Sequence, residues 1–290
     1  MDNSEIKDPL FLEAVNYIDR GDYIQLQDLL DKNPALVGTR LELPEGGYFK
    51  NPYLLWFIAD NPIRVDTLPK NIVEITRLIM EYVRIHDITV FQEQIDYTLG
   101  LVVTGRIPRE SGSQIELMDL LLDAGAIPGN GHGALAHGNV DAARHLLKRG
   151  GNLTLTTAIC LELKEDISHL AQSSSKSERQ IALIAAAFFG KSEMIDFLIH
   201  LDIDVNSFID SSSGFHSHAT ALHQAVYSGS MESVILLIEA GANLNTTDRI
   251  YQGTPLGWSV YMQEEEQDVQ KKKQYAAIET YLREIKNNQL

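Results

Sequence analysis

The chain has 290 residues with a formal net charge of −16, and 44% of its residues are hydrophobic. That apolar fraction is enough for a sizeable core and excludes wholesale disorder. The acidity is spread, with 22 acidic and 12 basic residues in 1–145 and 18 and 12 in 146–290. The basic stripe that a nucleic-acid binder needs to displace phosphate counterions is therefore missing, and anionic membrane surfaces are disfavoured.

The start, MDNSEIKDPLFLEAV, carries acid where a secretory leader needs a basic region and an apolar run. No uninterrupted apolar stretch approaches the roughly 20 residues of a membrane helix. Cys160 is the only cysteine, so no intramolecular disulfide is possible, which fits a reducing compartment. A cytoplasmic protein is expected.

The first helical signal is GDYIQLQDLLDKNP, with Leu26 and Leu29 on one face between Gly21 and Asn33. NPYLLWFIADNP, around Trp56, and NIVEITRLIMEYV read as a first and a second helix separated by a proline-containing insertion. SQIELMDLLLDAGA repeats the second-helix pattern with Met118, Leu121 and Gly125. HGNVDAARHLLKRGGNL does so with Gly138, Ala143, Leu146 and Gly150, and TTAICLELKEDISHLA is a shortened pair. In ALHQAVYSGSMESVILLIEAGANLN, Leu222, Ala225 and Val226 form one short apolar face and Val234, Leu237 and Ile238 the next. Gly229 and Gly241 sit at the helix ends, where a left-handed backbone is cheap only for glycine. Thirty-nine residues earlier, Leu183, Ala186, Gly190, Ile195, Leu198 and Asn206 match Leu222, Ala225, Gly229, Val234, Leu237 and Asn245. GTPLGWSV begins a last first helix, and AAIETYLREI is its late second helix after a charged insertion. The roughly eight units recur at the period of a solenoid, in which stacking buries what one hairpin cannot.

TALHQAVYSGSMESVILLIEAGANLN and GTPLGWSV resemble the ankyrin repeat, whose signature is T-P-L-H-x-A followed by a leucine-rich second helix. HSHATALHQAV followed by RIYQGTPLGW resembles ankyrin proteins common in bacteria. Two positions depart from the signature: Ala221 is the counterpart of Pro255, and Gly257 that of His223. The resemblance implies an all-α fold, an α-solenoid of about eight irregular helix-turn-helix repeats over 1–290. Within it, 1–50 would be the N-terminal cap repeat, 51–177 degenerate repeats, 178–261 well-matched repeats and 262–290 the C-terminal cap. It also implies a structural bond between Thr220 and His223. The x position would face a concave groove, which points to Gln224 and Trp258 as exposed groove residues; the alternative for Trp258 is packing over the insertion Met262–Gln274 in a C-terminal cap. The loops FIDSSSGFHSH and TTDRIYQ would lie on the finger side of that groove, offering Phe208, Phe215, Arg249 and Tyr251 as partner contacts.

Two histidine groups invite a metal reading. His216, His218 and His223 could line the site of a metal-dependent enzyme, and His132, His137 and His145 form a second group. Neither comes with a cysteine pair or an H-E-x-x-H helix motif, and zinc needs a full ligand set with a second shell. The GNGHG stretch lacks the Lys-Ser/Thr of a phosphate loop. Cys160, among apolar neighbours, reads as a small buried hydrophobe with no activating base. LPEGG at Leu43–Gly47 resembles a cell-wall sorting motif, near the wrong terminus and without a hydrophobic tail. In EEEQDVQKKK, Asp268 stands three and four residues before Lys271 and Lys272, a spacing that predicts a self-paired solvated helix face. The expected function is a non-enzymatic, monomeric scaffold that binds an unknown protein, with no metal or other cofactor.

Overall fold

Short helices make up most of the regular structure in the computed structural model, which describes residues 3–43 and 47–288. No strand occurs among them. Of the sorting-like motif, Pro44, Glu45 and Gly46 lie outside the described residues. The chain divides into two compact units, 1–152 and 153–290.

In the first unit, α1 (Pro9–Arg20) begins where the Asp8 carboxylate accepts the N–H groups of Leu10 at 2.9 Å and Phe11 at 3.0 Å. Those donors have no partner inside the helix, so the cap satisfies them. α1 ends at Gly21, φ 77°, and α2 (Tyr23–Lys32) returns against it. The expected helix around Trp56 is instead a tight 3-10 turn, Leu54–Ala59, all six residues of which are buried. Pro52 and Pro62 flank it, and Asp60, φ 46°, stops it in a left-handed conformation. α3 (Ile72–His86) packs on this turn, as does α4 (Phe91–Thr104). The sequence reading did not anticipate α4. After the short α5 (Arg106–Glu110) come α6 (Gln114–Asp123), α7 (His132–Ala136) and α8 (Val140–Lys148). α6 packs on α4 and α8 on α7, so paired helices recur.

In the second unit, α9 (Leu155–Cys160) pairs with α10 (Lys164–Ser173) and α11 (Lys176–Phe188) with α12 (Ser192–Ile199). α13 (Ala221–Ser228) pairs with α14 (Met231–Glu239), and α15 (Pro255–Glu265) with α16 (Val269–Asn288). First helices stack in the order α9, α11, α13, α15, and second helices in the order α12, α14, α16. Alanines 182 and 185–187 let α11 approach its neighbours closely, and all four are fully buried. Leu183, Leu222, Leu198 and Leu237 lie in one continuous core at 0–1% exposure. Each such leucine contributes roughly 2 kcal/mol on burial. Gly190 and Gly229 turn at φ 62° and 73°. Asn206 ties successive loops together, donating to the Gly241 carbonyl at 3.0 Å and accepting the Asn243 N–H at 2.7 Å.

The charged insertion departs from expectation. Most of it is absorbed into helices, with α15 running to Glu265 and α16 already under way at Val269 rather than at Ala276, where AAIETYLREI begins. Asp268 does not pair with the side chains of Lys271 and Lys272; it accepts the Lys271 backbone N–H at 2.8 Å, a capping bond. The Lys271 ammonium lies nearer Glu266, at 3.9 Å.

Candidate functional site

The entry to α13 is organised by one imidazole. His223 Nδ1 accepts the Thr220 hydroxyl at 2.7 Å and the Thr220 N–H at 3.3 Å, while Nε2 donates to the Gly253 carbonyl at 3.1 Å. This set requires the neutral Nε2–H tautomer, because a protonated Nδ1 could accept nothing. Burial, first of all, holds His223 below the usual histidine range, against the pull of the Gly253 carbonyl and Asp248. The Thr220–His223 bond implied by the family resemblance is thus present, and its far side fastens α13 to the loop before α15.

That loop is built on Asp248, which is fully buried. One carboxylate oxygen accepts the N–H groups of Ile250 at 2.9 Å and Tyr251 at 2.6 Å. The other accepts the Gly253 N–H at 2.8 Å and the Trp258 indole N–H at 3.0 Å. Burial alone would raise its pKa; these four donors outweigh burial and hold Asp248 below the ordinary carboxylate range. The Asp248 and Arg249 N–H groups complete the loop, donating to the carbonyls of Gly253 at 2.9 Å and His218 at 2.8 Å. Gly253 is required here by close approach: a Cβ would stand 3.0 Å from Trp258 Cδ1.

Three aromatic side chains occupy equivalent places on successive first helices. Phe188 of α11, Tyr227 of α13 and Tyr261 of α15 stand 39 and 34 residues apart, the intervals that also separate Gly190 from Gly229 and Thr220 from Thr254. Phe188 and Tyr227 stack at 5.3 Å and 9°. Tyr227 and Tyr261 are 41% and 58% exposed, so the row is open to solvent. One turn nearer the helix starts stand Gln224 and Trp258, again 34 residues apart. Together with His216, His218 and Tyr251 from the loops, these residues line a hollow of about 550 Å³. No Lys, Arg, Asp or Glu side chain lines it.

The hollow brings together Gln224, Tyr251 and Trp258 among the six expected contact residues. Tyr251 is 75% exposed, but Gln224 is only 2% exposed, and Trp258 is half-buried, where exposed groove positions were expected. Trp258 lies against the loops, 5.1 Å from the His223 ring and 6.0 Å from His218, and also packs on the hydrophobic core. Phe215 is buried behind the wall, edge-on to Phe188 at 5.8 Å. Arg249 lies 4.2 Å above the Phe208 ring, and neither lines the hollow. Asp248 and the row Phe188, Tyr227, Tyr261 were not singled out from sequence. The Asp-x-x-x-x-Gly spacing of a side-chain-capped turn was the available signal for Asp248.

The histidines take structural surroundings. His216 and His218 stand edge to face at 5.9 Å on the wall of the hollow, and burial keeps His218 below the usual histidine range despite Asp248. In the other group, His137 bonds the Gly133 carbonyl at 2.9 Å and His145 bonds Asp119 at 2.8 Å. Among the described residues no three His, Cys, Asp or Glu side chains are grouped so as to hold a metal ion. Burial pushes the Cys160 thiol up to about 12 against the opposing charge of Lys191, which keeps it out of the thiolate form a nucleophile needs.

Residues 110–248 match the family model for ankyrin repeats (3 copies). Among solved structures, the chain is similar to the human ASB11 ankyrin repeat domain at 17% identity, covering 87% of this chain and 91% of that one with a TM-score of 0.32.

Proposed function

We propose, from the premise that this chain is an ankyrin-repeat protein, that it is a non-enzymatic scaffold binding a partner protein through the groove and finger loops of residues 153–290. Ankyrin repeats are in general protein–protein interaction modules. The observation that carries the reading is the open aromatic row Phe188, Tyr227, Tyr261 beside Gln224 and Trp258. Contiguous exposed apolar surface on a soluble protein marks an interaction site, and Trp and Tyr dominate interface hot spots. Arg249 and Phe208 would meet the partner at the rim, with Phe215 supporting the wall from behind. The protein acts as a monomer in the cytoplasm; the lone buried cysteine suits a reducing compartment. No helix among the described residues is long and apolar enough to cross a membrane.

The test is site-specific photocrosslinking. A crosslinker at position 251 or 261 should trap a defined protein that a crosslinker at exposed Ile24 does not. Equal yields from all three positions would remove the groove as the binding face. Tyr251→Ala combined with Tyr261→Ala should then weaken the purified complex by about tenfold or more, with the melting midpoint unchanged.

A further inference from the structure

Gln224 is a polar side chain out of keeping with its surroundings. It is 2% exposed, faces an aromatic hollow and has no hydrogen-bond partner among the described residues. Its amide meets only the solvent of the open hollow, so a group that fills the hollow must either replace that water with hydrogen bonds or leave the amide unpaired. From this residue and the walls around it, we infer that the hollow takes the guanidinium side chain of an arginine-bearing segment of the partner protein. The inference rests on the protein-binding reading above and specifies its chemistry.

Four observations converge on a cation. The hollow is lined by the rings of Trp258, Tyr227, Tyr251 and Tyr261, a ring type whose quadrupole attracts positive charge at its face, and no lysine or arginine lines it. Burial disfavours the charged form of His218, on the same wall, against the opposing pull of Asp248. The Trp258 indole donates its N–H to the Asp248 carboxylate at 3.0 Å; an anion on the ring edge makes the ring face more negative. Finally, residues 153–290 hold 18 acidic and 10 basic side chains, a field that draws a basic segment in.

The amide then selects among cations. A guanidinium offers N–H donors to Gln224 Oε1 while its plane lies against a ring, which a quaternary ammonium cannot do. It is also more weakly hydrated than a lysine ammonium, so entering an apolar hollow sacrifices less. The chain already stacks its own arginines this way, Arg249 over Phe208 and Arg40 over Tyr53, each at 4.2 Å. A neutral aromatic side chain would fill the space but leave Gln224 unpaired and gain nothing from the acidic field.

The experiment uses the full chain and five capped, fluorescently labelled Gly-Gly-X-Gly-Gly peptides, with X arginine, citrulline, lysine, trimethyllysine or phenylalanine, read by anisotropy. The arginine peptide should bind about tenfold more tightly than citrulline, which keeps the shape and drops the charge. That preference should weaken as salt rises, and the preference for arginine over lysine and trimethyllysine should vanish in Gln224→Leu, whose melting midpoint checks that the fold persists. Citrulline or phenylalanine binding as tightly as arginine overturns the cation, and trimethyllysine or lysine binding best overturns the guanidinium. No binding by any peptide at millimolar concentration also overturns the inference. In each of these cases the protein-binding reading stands or falls separately, on the crosslinks from positions 251 and 261.

Discussion

The two units pair their helices alike and differ in where they put their aromatic rings. In 1–152, the place of one first helix is taken by the 3-10 turn Leu54–Ala59, and its rings point into a core. Phe57 meets Phe49 edge-on at 5.1 Å and Phe11 at 5.5 Å, and Trp56 stacks on Tyr97 at 3.9 Å and 19°. In 153–290 the first helices are regular, the core between them is aliphatic, and the rings line an open hollow. The tryptophans show the contrast most simply. Trp56 is 3% exposed with its indole N–H buried and unbonded, whereas Trp258 is half-buried with its N–H held by Asp248. An irregular backbone consumes its aromatics in filling space; a regular one built on alanine and leucine leaves them free to form a site.

The contrast can be broken or sharpened by substitution. The largest effect is expected of Phe57→Ala, which removes a fully buried ring and should cost about 3–5 kcal/mol in a denaturant melt. A loss under about 1 kcal/mol would mean that the turn is not core. Next come Leu198→Ala and Leu237→Ala, at about 2–5 kcal/mol each. The two should agree closely, because they hold the same place in adjacent pairs at 0% exposure; unequal losses would break the claim that the second unit is the regular one. Asp248→Ala should lose about 2–3 kcal/mol by orphaning several donors, and Asp248→Asn less, with tryptophan emission reporting the change at Trp258.

Acidification separates the units by another route. His218 and His223 have folded-state pKa values below their ordinary ones. The unfolded chain therefore binds their protons first, and stability present above a pH of about 6.5 declines as pH falls through the range between the unfolded and folded values. Melts from pH 7 to pH 5 should show this decline, and it should shrink in a His218→Phe variant. A flat profile would mean that the fold does not hold either imidazole below its ordinary range. The smallest effect belongs to Tyr251→Ala. At 75% exposure it should change stability by less than about 0.5 kcal/mol while weakening the partner, which separates wall from core.

Helix pairs were legible in the sequence wherever glycine closed a short apolar face, as at Gly190 and Gly229. α4 was not, because its buried side includes Gln94 and Thr98. Gln94 Nε2 donates to the Val37 carbonyl at 2.9 Å and the Thr98 hydroxyl to the Gln94 carbonyl at 2.7 Å, while Gln94 Oε1 is buried without a hydrogen bond among the described residues. Polarity of that kind interrupts the 3.6-residue pattern without leaving the core. In the candidate site, Gln224 and Trp258 were readable by matching repeats and Tyr251 by its place in a loop on the finger side. The row Phe188, Tyr227, Tyr261 was not, since unequal intervals of 39 and 34 residues hide it from a fixed period and only stacking aligns it. Asp248 was missed because its importance lies in four donors that converge on it only after the loop has turned.

The Asp248 loop has a kinetic consequence. With both carboxylate oxygens engaged and its own N–H, that of Arg249 and the His223 imidazole all bonded across the turn, the wall of the hollow has few conformations left to surrender. A partner meeting such a wall need not wait for it to form. Association should then proceed at a single rate proportional to concentration, without the saturating slow phase that a rearranging loop imposes, and differences between partners should appear in how long each stays.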